Sequence, residues 1–178
     1  KDMAFEFAGR GYDLILVARS LDRLKEVKNE IIKKYGKCNV EIMKFDVSDI
    51  ESVKKLYDDV RNKFVNIDVL VNNAGFGDCG KFYETDLEKD ISMINTNILG
   101  LHILTKLFLR DMVKANSGYI LNVASIAGFM PGPLMATYYS TKAYVVRLTR
   151  AIAKELKSVN SKVRIAAFCP GPVDTEFN

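Results

Sequence analysis

The chain has 178 residues, of which 48% are hydrophobic and 27% are charged, a balance that excludes an intrinsically disordered protein. The 26 basic and 22 acidic residues leave a net charge of +4, and the basic residues are spread over predicted helix surfaces, so we predict no nucleic-acid partner. The most apolar window, residues 98–109, contains polar side chains and is too short to span a bilayer, so no membrane partner is predicted.

The first half of the chain alternates short apolar runs with amphipathic helical patterns. Ser20 is the predicted N-cap of the first long helix and Gly36 its end, while Ser48 or Asp49 caps the next helix. In chain order we predict a short opening helix, a strand (14–18), a helix through Tyr35, a strand (40–45) and a helix to about Phe64. Such alternation predicts βαβ units and a parallel sheet.

The second half continues the same alternation, so residues 1–178 are predicted to form a single α/β domain. Pro and Gly after the last strand interrupt the pattern. The predicted elements are a strand (69–71), a long helical region (about 87–115), a strand (119–124), a helix (138 to about 158) and a strand (164–169).

The cysteines and the single histidine argue against two classes of site. Cys38, Cys79 and Cys169 have no metal-site spacing, so we predict no metal, and unpaired thiols suit a reducing cytoplasmic location. His102 lies within an apolar helical run, where we expect a partly buried histidine with a hydrogen-bond partner. A Ser-His-Asp hydrolase is therefore not predicted.

The segment from Ser125 to Lys142 is where we expect the chemistry. Tyr138 and Lys142 are four positions apart on a predicted helix, so the phenol and the ammonium share one face. A nearby cation favours the phenolate and lowers the pKa of the phenol, which fits it to exchange a proton with a carbonyl or alcohol oxygen. Glycines and prolines in between predict a loop that returns Ser125 to Tyr138. The alternative is an ordinary helical tyrosine beside a solvated lysine.

Several other segments fit one family in consistent order along nearly the whole chain. Asn73-Ala74-Gly75 after a strand, Asn97, the Ser125, Tyr138 and Lys142 set, and Pro170-Gly171 resemble the short-chain dehydrogenases/reductases. The resemblance implies a doubly wound, Rossmann-like parallel sheet and hydride transfer between a nicotinamide cofactor and a carbonyl or secondary alcohol. It makes Tyr138 the general acid/base, Ser125 the group that orients the substrate oxygen, Lys142 a ligand of the cofactor ribose, and Asn97 the holder of a water in a proton relay.

Arg19, just after the strand that ends at Ala18, predicts NADP(H) rather than NAD(H), because an arginine binds the 2′-phosphate through charge-assisted hydrogen bonds. Ser20 is expected to assist, and the alternative is a surface arginine at a helix start. The resemblance assigns further cofactor contacts to the adenine (Asp46 and Val47), the adenosine side (Asn73, Ala74 and Gly75), the nicotinamide (Pro170, Gly171 and Val173) and its carboxamide (Thr175). Asp46 is alternatively a helix cap.

Gly75, Gly77 and Gly80 match G-x-G-x-x-G, but we predict that they do not bind pyrophosphate, because no helix begins at the third glycine. The first strand with its glycine-rich turn, and the last strand, are both missing relative to the family. We therefore expect the chain to be a fragment of a longer one.

Two rival functions are considered. Epimerases and dehydratases with longer subunits also carry Y-x-x-x-K, but they usually lack Asn-Asn-Ala-Gly. A catalytically silent protein of the same fold, which senses the cofactor or acts as a scaffold, is the non-enzymatic alternative.

The family forms dimers through two helices, and a homodimer or homotetramer is predicted here. The apolar residues on those helices alternatively belong to the core of the chain itself. They are Ile94, Ile98, Leu101, Leu104, Leu107, Phe108, Val145, Val146, Leu148, Ile152 and Leu156.

Overall fold

The computed structural model describes residues 1–36, 38–64 and 66–171. They group into two compact units, the first from Lys1 to Asp46 and the second from Val47 onward. Both units are built of parallel strands joined by helices, which confirms the α/β, Rossmann-like prediction. A single domain over residues 1–178 stays a prediction. In the part of the chain described here, every helix is too short or too polar to cross a bilayer.

The first unit is one βαβ arrangement preceded by a helix. Its elements are α1 (Asp2–Gly9), β1 (Leu14–Ala18), α2 (Leu21–Tyr35) and β2 (Val40–Lys44). The two strands pair in parallel from Leu14↔Val40 to Ala18↔Lys44. Ser20 caps α2 by accepting a hydrogen bond from the Arg23 N–H, and Gly36 ends the helix at φ 67°, as predicted. Buried Ala8, Ile31 and Val40 form its core.

The second unit carries the predicted catalytic segment on a three-stranded parallel sheet in the order β3-β4-β5. The sheet register begins at Val69↔Tyr119 and at Tyr119↔Arg164. The elements are α3 (Ile50–Lys63), β3 (Val69–Asn72), α4 (Leu87–Ile94), a π-helical segment (Asn95–Gly100), α5 (Leu101–Ala115), β4 (Tyr119–Val123), a 3₁₀ turn (Ile126–Phe129), α6 (Ala136–Ser158) and β5 (Arg164–Phe168).

Helices α5 and α6 pack on the same face of this sheet. Crossovers between parallel strands are right-handed, and the strands advance in one direction, so both connecting helices fall on one side. Met112 of α5, Ile120 of β4, Leu156 of α6 and Ile165 of β5 are buried together in one cluster. The carboxyl ends of all three strands therefore meet at one edge, where ligands of parallel α/β sheets bind.

The long helix predicted over about residues 87–115 is interrupted. Residues Asn95–Gly100 form a π-helical segment between α4 and α5, a feature often found at functional sites. Gly100 is buried at its end, and a Cβ there would overlap with the carbonyl oxygen of Val47. Helical periodicity alone does not distinguish a π turn from an α turn, so the sequence pattern missed this feature.

Most of the apolar residues considered for a dimer interface lie in the core of the chain. Leu101, Val145 and Val146 form a buried cluster with Ala124, and Leu104, Phe108 and Leu156 are also buried. Their hydrophobicity is therefore explained within the chain. Ile91 and Ile94 on α4 remain about 40% exposed, at 41% and 39%.

Candidate active site

Ser125 and Tyr138 are brought together as the loop between them predicted. Ser125 follows β4 and caps the 3₁₀ turn, where its Oγ accepts a hydrogen bond from the Ala127 N–H over 3.1 Å. The Ser125 hydroxyl also lies near the Tyr138 phenol and, as a hydrogen-bond donor to it, lowers the pKa of the phenol. Ile126 donates its N–H to the Pro170 oxygen over 3.1 Å, which joins this turn to the segment after β5.

Lys142 lies one turn further along α6 and is almost completely buried. Its side chain is 4% exposed, and the Nζ atom lies 5.7 Å from the centroid of the Tyr138 ring. Nζ donates a hydrogen bond to the Val123 main-chain oxygen over 3.1 Å. Burial lowers the pKa of Lys142 to about 8, with a smaller opposing effect from the nearby Cys169 thiol. Lys142 is therefore still mostly protonated at pH 7 and loses its proton as the pH rises through about 8.

The pKa of Tyr138 shifts in the direction opposite to the expectation from sequence. Partial burial raises the pKa of the phenol, and the hydrogen bond from Ser125 offsets only part of this shift. The sequence argument gave the lysine the larger effect, whereas the burial of the phenol itself has the larger effect on Tyr138. At neutral pH the phenol keeps its proton.

Asn97 is 1% exposed and connects two segments of the site. Its Oδ1 accepts the Phe76 N–H over 3.1 Å, and its Nδ2 donates to the Phe76 oxygen over 2.9 Å. The second Nδ2 hydrogen goes to Thr141 Oγ1 over 3.1 Å. Both N–H donors of the amide are thus used within the protein, so the predicted water relay at Asn97 stays a proposal.

Asn73, Ala74 and Gly75 follow β3, and Gly75 faces the side chains of Asn97 and Lys142. A Cβ on Gly75 would lie 3.0 Å from Asn97 Oδ1 and 3.3 Å from Lys142 Nζ. The next helix, α4, begins at Leu87 and not at Gly80. The G-x-G-x-x-G match at residues 75–80 is therefore not a phosphate-binding turn, as predicted.

The remaining cofactor candidates in the described residues lie shortly after strands of the two units. Arg19 is exposed directly after β1, beside the N-terminus of α2. Asp46 follows β2, but Asp49 caps α3 by accepting the Ser52 N–H, so Asp46 is not the cap. Val47 begins the second unit, and Pro170 and Gly171 follow β5. Val173 and Thr175 lie outside the described residues.

Thr141 and Cys169 are two neighbours of the site that sequence reasoning missed. Thr141 is hydrogen-bonded to Asn97 and to the main-chain oxygen of Tyr138, and Cys169 raises the pKa of Lys142. A threonine inside a helix gives no periodic signal, and the only available hint was its position next to Lys142. His102, by contrast, is hydrogen-bonded to Tyr144 through Nδ1 over 2.8 Å, as expected of a histidine outside the site.

Comparisons with known proteins show which family the chain resembles. The family model described as "short chain dehydrogenase" matches residues 1–178. The chain is 36% identical over 180 residues to the NADP-dependent 3-hydroxy acid dehydrogenase of Schizosaccharomyces pombe, covering 100% of this chain and 68% of that protein. It is 37% identical over 169 residues to the very-long-chain 3-oxoacyl-CoA reductase of Rattus norvegicus, covering 89% of this chain and 51% of that protein.

A solved structure superposes closely on this chain. The alcohol dehydrogenase from the archaeon Thermococcus sibiricus, complexed with 5-hydroxy-NADP, superposes with a TM-score of 0.88 at 34% identity. The alignment covers 98% of this chain and 72% of that one. The chain spans between about half and three quarters of the length of the curated relatives, from 51% to 74%.

Proposed function

The chain belongs to the short-chain dehydrogenase family, and from that premise we propose that it transfers a hydride between NADP(H) and a carbonyl or secondary alcohol substrate. The observation that carries the proposal is the hydrogen-bonded Ser125 and Tyr138 pair beside the buried Lys142 ammonium. A scaffold has no use for a buried cation next to a phenol, because burying that charge destabilises the fold.

Tyr138 is the proposed general acid and base. In the reducing direction its phenol gives a proton to the carbonyl oxygen, and in the oxidising direction it takes one from the alcohol. The raised pKa of Tyr138 keeps the phenol protonated at neutral pH, as a proton donor in the reducing direction requires. Ser125 holds the substrate oxygen against the phenol, since its hydroxyl already bonds there.

The described residues fit a nicotinamide cofactor. Lys142 has three N–H donors, and within the described part of the chain only Val123 accepts one, so two are left for ribose hydroxyls. Gly75 leaves open the space next to Lys142 that a side chain would fill. The bound cofactor supplies or accepts the hydride, while these residues hold and orient it.

NADP(H) is the proposed form of the cofactor because of Arg19. The described residues offer this exposed guanidinium no hydrogen-bond or ion-pair partner, so its donors are available to a phosphate. It also lies beside the N-terminus of α2, where the helix dipole favours an anion. Both effects favour a 2′-phosphate over a ribose hydroxyl.

The relatives guide the choice of substrate. Their names refer to 3-hydroxy acids and 3-oxoacyl-CoA compounds. We therefore take compounds with a carbonyl or hydroxyl at carbon 3 of a carboxylic acid or thioester as the first substrates to test. The protein is also proposed to form a homodimer or homotetramer, with the exposed Ile91 and Ile94 of α4 as part of the interface.

The function is tested by titrating the purified full-length protein with NADPH and NADH, followed through the fluorescence of the bound nicotinamide. The expected result is tighter binding of NADPH, and oxidation of NADPH when 3-oxo compounds or other ketones are added. Binding of neither cofactor would contradict the proposal and favour the scaffold alternative. Binding without turnover of any carbonyl compound would leave cofactor sensing as the function.

A further inference from the structure

A short chain of hydrogen bonds connects the backbone of Tyr138 to the loop after β3. The Thr141 hydroxyl donates to the Tyr138 main-chain oxygen over 2.7 Å and accepts from Asn97 Nδ2 over 3.1 Å. Asn97 in turn accepts a hydrogen bond from the Phe76 N–H and donates one to the Phe76 main-chain oxygen. Thr141 and Asn97 are each 1% exposed, so water does not compete for these bonds.

The donor and the acceptor of each of these hydrogen bonds follow from the groups that take part. The Phe76 N–H can only donate, so it must face the amide oxygen of Asn97, and the amide nitrogen must then face Thr141. The Tyr138 oxygen can only accept, so the single hydroxyl hydrogen of Thr141 goes to it. A hydroxyl is the simplest group that can accept from one neighbour and donate to the other. Valine, which has nearly the same shape, can do neither.

Both catalytic side chains of α6 belong to the turn that Thr141 holds. Tyr138 lies three positions before Thr141, and Lys142 lies one position after it. A threonine bond to the carbonyl three or four residues earlier constrains and often bends a helix locally. The other end of the chain of bonds, at Phe76, adjoins Gly75, which lies close to Lys142 Nζ.

We propose that Thr141 is a positioning residue. Its hydroxyl connects the first turn of α6 to Asn97 and so holds the Tyr138 phenol in its position beside Ser125. The inference rests on the proposed function, because it assigns Thr141 to the same reaction. Thr141 does not touch the substrate in this account. It acts only through Asn97 and the Tyr138 backbone.

Thr149 supplies a matched control on the same helix. It is also a buried threonine, 1% exposed, and its Oγ1 accepts from a buried amide, Asn122 Nδ2, over 3.0 Å. It lies two turns beyond Thr141. Thr141→Val and Thr149→Val both remove a hydroxyl and leave a buried amide hydrogen unpaired, so we expect similar losses of thermal stability.

The experiment compares Thr141→Val, Thr141→Ser and Thr149→Val in the full-length protein, well below their melting temperatures. Displacement of a catalytic group by a fraction of an ångström lowers kcat strongly, so we expect a loss of about tenfold or more in Thr141→Val. The dissociation constant for NADPH should change much less. Thr141→Ser keeps the hydroxyl and should restore most of kcat, and Thr149→Val should retain wild-type kcat.

A second measurement tests the inference without turnover. The ultraviolet titration of each protein, minus that of the same protein with Tyr138→Phe, reports the pKa of Tyr138 alone. Thr141→Val should raise that pKa by about half a unit or more, because the phenol loses part of its bond to Ser125, whereas Thr149→Val should not change it.

Equal kcat values and equal Tyr138 titrations in the two valine variants would overturn the inference, as would a Thr141→Ser variant as impaired as Thr141→Val. An inactive wild-type protein would count against the proposed function instead, and the titration would still decide the role of Thr141.

Discussion

Lys142 donates a hydrogen bond to the main-chain oxygen of Val123 over 3.1 Å and is only 4% exposed. A buried ammonium that meets one neutral acceptor costs free energy, which is why burial lowers the pKa of Lys142 to about 8. The residue most central to the proposed cofactor site thus reduces the stability of the free protein.

The first prediction follows for Lys142→Met. The ordinary pKa of 10.5 falls to about 8 on folding, and this shift corresponds to about 3 kcal/mol. Below pH 8 both the folded and unfolded states hold the proton, and the wild type bears the full cost. Between about pH 8 and 10.5 only the unfolded state binds it, so wild-type stability rises with pH. Urea denaturation should show Lys142→Met more stable at pH 7 and the difference shrinking toward pH 10.

Lys154→Met is the control for that series, because Lys154 is exposed on the same helix. At pH 7 this variant should lack the gain in stability expected for Lys142→Met, because the Lys154 side chain is exposed. A Lys142→Met protein that is less stable than wild type at pH 7 would contradict the assigned cost of burial.

The second prediction concerns the proton donor. Tyr138→Phe removes one oxygen and keeps the ring, so the fold and NADPH affinity should be nearly unchanged while kcat falls roughly a hundredfold or more. Steady-state kinetics and NADPH titration measure the two effects. Tyr139→Phe is the matched control, since Tyr139 is the adjacent residue and packs edge-on against the Tyr138 ring. Normal turnover by Tyr138→Phe would remove Tyr138 from the mechanism.

The third prediction concerns the choice of cofactor. Arg19→Ala removes a charge-assisted contact to the 2′-phosphate, so the dissociation constant for NADPH should rise about tenfold or more, with little change for NADH. Arg10→Ala tests for a general effect of charge, because Arg10 is also exposed in the same unit. Equal losses in the two variants, or an equal loss for NADPH and NADH, would argue against a specific phosphate contact.

The fourth prediction concerns the π-helical segment. Gly100→Ala places a methyl group against the Val47 carbonyl oxygen, a main-chain atom that cannot rotate away. We expect a loss of about 1–3 kcal/mol in the free energy of unfolding, measured by urea denaturation. In Gly80→Ala the nearest atom is the Thr85 Cγ2 methyl at 2.8 Å, and that side chain can move. A smaller loss is expected there, and the reverse order would disprove the steric account.

The sequence predicted those features of the fold and site that depend on local chemistry. Ser20 and Asp49 were expected as helix caps, and both cap helices through their side chains. The approach of Ser125 to Tyr138 also followed from the sequence, since the intervening glycines and prolines require a loop.

What the sequence did not predict depends on contacts between distant residues. The direction of the Tyr138 pKa shift follows from burial, which spacing along a helix does not report. The complete use of the Asn97 donors depends on Phe76 and Thr141, which lie 21 and 44 positions away in the chain. The π turn and the burial of Leu101 and Val145 likewise arise from tertiary packing.

Near the carboxyl ends of β3 and β4, four buried polar side chains form a hydrogen-bonded network between the sheet and its helices. Asn72 Nδ2 donates to Asn122 Oδ1 over 2.9 Å and is 3.0 Å from Thr105 Oγ1, while Asn122 Nδ2 donates to Thr149 Oγ1. A slip of β4 by one residue would turn Asn122 to the opposite face of the sheet and leave unpaired the Asn72 N–H that Asn122 accepts. Misaligned strand pairings are therefore penalised during folding. Because Ser125 follows Asn122 by three residues, the same penalty determines where β4 places the proposed catalytic serine.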